Sequence, residues 1–141
     1  MTEITKREQI LEAVKSIVLS VVPTGVNVTR SLTMAYEVDE NDVIVVHRGV
    51  DEPTENFQFV TDRVLEVLIS VVTRSAIPES QADQYLPLIQ PLMMGFEGLD
   101  TTDITEGRSD APQYAGADGR VAMVTAHFRF QYRTEAHSLV E

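Results

Sequence analysis

The sequence predicts an α+β fold: a mainly antiparallel twisted sheet with two helices packed on one face. Three observations carry this. Val121 to Thr134 alternates, with Ala122, Val124, Ala126, Phe128, Phe130 and Tyr132 on one side and Thr125, His127, Arg129, Gln131 and Arg133 on the other, the period-2 signature of a strand. Arg63 to Thr73 sets an unbroken apolar face of Leu65, Val67, Ile69 and Val71 against a mixed one, as a central strand does. Ile10, Leu11, Val14, Ile17, Val18 and Val21 recur at helical spacing, and helices on one face of an antiparallel sheet make an α+β domain.

The elements follow in order. Thr5 with Glu8 three residues later is a capping-box pattern that opens the first helix, and Pro23-Thr-Gly25 stops it. Val26 to Leu32 reads as a modest strand whose apolar face is interrupted by Arg30. Glu37 to Asp42 is an acidic turn, and Val43 to His47 a short strand buried on both faces. Gly49 to Thr61 has no usable period and reads as a long loop of functional length. Beyond the central strand, Pro78, Ser80 and Asp83 open a second helix with Ala82, Tyr85, Leu86, Ile89, Leu92, Met93 and Phe96 as its apolar set. Pro87 and Pro91 inside it predict a kink or an early end. Gly95 to Arg108 fits a weak edge strand anchored by Leu99 and Ile104. Ser109 to Gly119 reads as a second long loop, with Asp118-Gly119 a tight turn into the last strand. The last strand is longer than the usual five or six residues, a first hint of assembly, and 135–141 reads as a short flexible tail.

A chain of 141 residues is expected to be one domain, and a domain of that size buries roughly 68 to 70% of its unfolded surface. The absence of cysteine excludes disulfides, thiolate zinc sites and cysteine nucleophiles. Net charge is −11, from 22 acidic against 11 basic residues, with the cations scattered. Phosphate backbones would be repelled, so no specific nucleic-acid binding is expected, although an acidic wall lets DNA pass without gripping it. The start carries no apolar signal-type run, and Ile17 to Val22 is too short to span a bilayer. The expectation is a soluble protein of the cytoplasm with no membrane partner.

Motifs for chemistry are scarce. His47, His127 and His137 have no partner at ligand spacing, and a lone histidine is usually structural. Asp39 and Asn41 lack the glycine and distal glutamate of a calcium loop. Asp51, Glu52 and Glu55 sit in an acidic proline-containing segment, a poor place for the dry pocket and raised pKa of a glycosidase carboxylate. There is no phosphate loop, nucleophile-elbow serine or metalloprotease helix. The reading is no enzyme, no cofactor and no metal. Phe57 and Phe59 either tuck under the sheet or present an apolar ridge to another chain, and Tyr114 poses the same question.

Several phrases together resemble a known family. They are Arg48-Gly-Val-Asp51 followed by Glu52, Asp62-Arg-Val-Leu-Glu-Val-Leu-Ile-Ser-Val-Val-Thr73, Gln81-Ala-Asp83 and Phe128-Arg-Phe-Gln-Tyr-Arg-Thr134. With the order of elements from Thr5 to Thr134, the chain resembles the tail terminator proteins of long, non-contractile-tailed bacteriophages, also called minor tail or tail completion proteins. The likeness rests on pattern and element order, not on a diagnostic motif. It implies a structural virion protein assembled in the host cytoplasm. Six subunits would form a homo-oligomeric ring on the end of the tail tube, stop tube polymerisation and offer the head a surface. The partners implied are the major tail tube protein and a head-tail connector protein, with DNA passing through the ring. A closing ring uses heterologous contacts, one patch meeting a different patch on the neighbour.

The resemblance assigns no individual residue. From patterning, the candidate tube or neighbour-subunit contacts are Arg48, Asp51, Glu52, Phe57 and Phe59 in the long loop and Arg129, Gln131 and Arg133 on the polar face of the last strand. The alternatives are a head-tail connector subunit, or a small-ligand binding module or enzyme with a pocket between the second helix and the sheet.

Overall fold

The computed structural model describes residues 3–32, 42–115 and 119–141. The calcium-like pattern at Asp39 and Asn41, most of the acidic turn, and Asp118 of the tight turn lie outside the described residues.

Helix α1 spans Lys6–Val21 and begins as its capping signal requires, with the Glu8 N–H donating to Thr5 Oγ1 at 3.3 Å. It buries Ile10, Leu11, Val14 and Val18. Strand β1 is only Asn27–Thr29 and pairs parallel with β2, Val43–Asn56. The expected strand to Leu32 is cut short because Arg30 leaves the ladder. Its Nε donates to Val46 O at 2.8 Å, and its guanidinium reaches Glu8 at 2.7 Å and Glu12 at 3.0 Å on α1.

The segment expected as a loop from Gly49 to Thr61 is a β-hairpin. Strand β2 continues to Asn56, the chain turns through Gln58, with Phe57 N–H donating to Val60 O at 2.8 Å, and β3 runs Val60–Arg74. Two register shifts hide this strand in the sequence, one between Arg48 and Asp51 and one between Pro53 and Glu55. Each bulge puts two residues opposite one and flips the alternation, so no single period survives.

The sheet order is β1-β2-β3-β6-β4, with β6 at Val121–Glu135 and β4 at Thr101–Ser109. β3 is the centre, antiparallel to β2 on one side and to β6 along its whole length on the other. β4 is the edge strand that its weak pattern predicts, with Leu99 and Ile104 partly buried. The second expected loop contains a further short strand, β5, Gln113–Ala115, which pairs with Val121 to Met123. A three-residue strand is too short to show a period, so only its pairing identifies it.

The expected second helix is two helices. Helix α2 is Pro78–Ala82 and α3 is Leu86–Met94, with Pro87 in the first turn of α3 and Pro91 inside it. Ala82, Tyr85, Ile89 and Met93 keep facing the core across the break at 83–85, whereas Leu92, expected inside, is 37% exposed. The helix-side core joins the inward residues of α1 and α3 to Ile44, Val46, the Leu65 to Val71 face and the Ala122 to Tyr132 face. Phe96 closes its end against Phe130, with ring centroids 5.4 Å apart. The sheet's other face carries a smaller apolar cluster of Val43, Val45 and Val72 with Val121 and Met123. Beyond that cluster it is mixed: Val64, Glu66 and Leu68 on β3 lie beside His127, Arg129 and Gln131 on β6.

Candidate functional site

The candidate residues fall into two groups at the hairpin end of the sheet. The first is the tip. Phe57 is 46% exposed and Phe59 74%, so the ridge is presented outward. A two-residue reversal holds both rings beyond the last paired rung, Asn56 with Thr61. The Arg133 guanidinium lies 5.6 Å from the centroid of Phe57 and forks onto Asp62 at 2.7 and 3.3 Å. That hydrogen bond holds the Asp62 carboxyl below the usual carboxylate range. Arg133 is therefore an internal brace for the tip.

The tip is tied to the body by the segment expected as a flexible tail. Ala136 N–H donates to Phe59 O at 2.9 Å, and Lys6 N–H, in the first turn of α1, donates to Leu139 O at 2.7 Å. Clefts of about 550 and 640 Å³ flank this strap. Nearby, Gly98, Leu99 and Asp100 all take positive φ, at 103°, 53° and 59°. Such backbone is costly for a leucine. Arg133 N–H donating to Asp100 O at 3.1 Å and the ion pair between Lys6 and Asp100 hold it.

Asp51 proves to be interior. Its side chain is 1% exposed, accepts the single Tyr132 O–H, whose oxygen lies 2.9 Å from both carboxylate oxygens, and pairs with Arg7 of α1 at 3.0 Å. The first bulge places it opposite Leu65 on the helix side of the sheet. Burial, and then the Asp51 carboxylate, push the Tyr132 phenol well up. This removes Asp51 from the contact set, whereas Arg48 and Glu52 remain exposed on β2.

The second group lies on the open sheet face. Arg129 is exposed and Gln131 half-buried. Arg129, Glu52, Glu66, Val50 and Val64 line one cleft of about 450 Å³. Beside it, both ring nitrogens of His127 meet carboxylates: Nδ1 lies 3.2 Å from Glu66 and Nε2 2.8 Å from Asp110. The imidazole holds the Asp110 carboxyl below its ordinary range. His47 Nε2 lies 2.8 Å from Ser70 Oγ, itself 2.7 Å from Thr125 Oγ1. Burial, then the charges of Arg30 and His127, lower the His47 pKa.

These histidine partners come from elsewhere in the chain, Glu66 and Ser70 from β3 and Asp110 from just beyond β4, so their linear spacing could not reveal them. Glu66 was visible only as a charge on a mixed strand face, and its place beside His127 follows once β3 and β6 are put in register. The Ser70 hydroxyl is fully buried, which denies it to a substrate. The carboxylates around His127 sit on opposite edges of the ring, and among the described residues no group of three His, Asp or Glu side chains could hold a metal ion. No described helix is long and apolar enough to cross a membrane. Compared with known proteins, the chain matches no family model and no curated sequence.

Proposed function

We propose that this protein is a structural subunit that caps the tail tube of a long-tailed phage, forming a six-fold ring that stops tube polymerisation and offers the head a surface. The observation that carries the reading is the hairpin tip: two phenylalanines held in water, beyond the core, on an acidic chain. An ordered apolar ridge of this kind serves a protein contact. Its bracing by Arg133 and the 136–141 strap means that little ordering remains to be done on binding. Phe57 and Phe59 are the contacts with the tube, and exposed Arg48 lies on the same hairpin. The tail terminator resemblance supplies the partners, the major tail tube protein and a head-tail connector protein, and the acidic charge suits a lumen through which DNA slides.

The experiment is to withdraw the protein from tail assembly. Tails made without it should grow to irregular, excessive lengths and fail to join heads. Tails of regulated length that still accept heads would contradict the role.

A further inference from the structure

The open sheet face carries a charge arrangement that is unsatisfied within one chain and self-complementary between two. On β6, Arg129 is exposed, and on β2, Glu52 is exposed. Among the described residues, neither side chain makes a hydrogen bond or an ion pair, although both line the same cleft. The reason is geometric. Arg129 stands opposite Glu66, and Glu52 stands opposite Val64, on either side of β3. They are therefore two strand spacings apart across the sheet and two residues apart along it, about 12 Å in all.

Between them lie one carboxylate and two valines. The Glu66 carboxylate is engaged by His127 at 3.2 Å. Val64 and the 63% exposed Val50 provide apolar surface. Gly49 leaves room for the Glu66 carboxylate to lie across the strands: a Cβ there would stand 2.3 Å from Glu66 Oε1.

We infer that this face is a two-fold contact with a second copy of the same chain, in which Arg129 of each copy pairs with Glu52 of the other. A two-fold axis in the plane of the contact, perpendicular to the line from Arg129 to Glu52 and so oblique to β3, exchanges the β6 side of one sheet for the β2 side of the other. It lays each guanidinium over a carboxylate and brings Val50, Val64 and Glu66 to the middle. Sheets pack face to face about 10 Å apart, a gap that an arginine and a glutamate reaching from opposite sides can close. Such a contact is isologous, so one substitution acts twice. It is a separate claim from the ring, whose contacts join unlike patches.

The test is sedimentation velocity on the full chain over a range from micromolar to submillimolar concentration. Wild type should show a dimer that grows with concentration and weakens with added salt, as exposed ion pairs do. Arg129→Glu places two carboxylate pairs face to face, and Glu52→Arg two guanidinium pairs. Each should weaken the dimer by about tenfold or more. The double variant Glu52→Arg/Arg129→Glu restores opposite charges and should recover the dimer. Phe57→Ser/Phe59→Ser, which removes the tip, should leave it unchanged, so failure of the ring and failure of this contact are told apart. A wild type that stays monomeric throughout, single reversals that dimerise like wild type, or a double reversal that does not recover would each overturn the inference. Where a variant fails to fold, the salt dependence of wild type decides instead: salt-insensitive dimerisation contradicts an Arg129–Glu52 contact.

Discussion

Asp51 joins three elements with one carboxylate: β2 that bears it, α1 through Arg7, and β6 through Tyr132. Removing a buried charged acceptor strands its donors, and hydrogen bonds to charged groups are worth about 1.5 to 3 kcal/mol. Asp51→Ala should therefore lower the unfolding free energy by about 2 kcal/mol in urea titrations, and Tyr132→Phe by less. A loss indistinguishable from zero for Asp51→Ala would mean that the network is not formed. Titration adds a second prediction. His47 has a lowered folded-state pKa, so the unfolded chain binds its proton first, and stability falls once pH drops below the ordinary histidine value of about 6.5. Glu8, Asp62 and Asp110 are held below the carboxylate range by Arg30, Arg133 and His127 respectively. Their contribution is present above the unfolded carboxylate pKa and is lost as pH falls through the lowered values. Urea midpoints should thus decline in two stages on acidification, and His47→Gln should remove the first.

At the scale of elements, the Thr5 cap and the Val121 to Thr134 alternation were legible because each is a local rule: one hydroxyl serving a helix terminus, one side chain in two facing the core. Thr5→Ala should cost about 1 kcal/mol, read from the thermal midpoint. The hairpin was not legible, because bulges at Gly49-Val50 and at Thr54 break the alternation that a reader of sequence relies on. The inward turn of Asp51 was hidden for the same reason: an acid in an apparent loop looks solvated until the register puts it opposite Leu65. Arg129 and Gln131 were correctly placed on the outer face by period alone, whereas the bond from Arg133 to Asp62 needed the pairing of β3 with β6. The tip makes its own prediction. Phe57→Ser/Phe59→Ser should leave the unfolding free energy within about 1 kcal/mol, as surface changes away from the core do, while abolishing attachment to tubes.

For the whole molecule, the helices seal one face of the sheet, and the phenylalanines of the tip stay exposed. The tip projects past the core on paired strands, so its position is set by backbone ladders. The most direct measurement is to add the purified protein to polymerising tail tube subunits and follow tube length and tube ends by electron microscopy. The account predicts rings seated on one end of each tube and elongation that stops once they are seated, with both effects lost in Phe57→Ser/Phe59→Ser. Tubes that elongate at an unchanged rate with bare ends would contradict it.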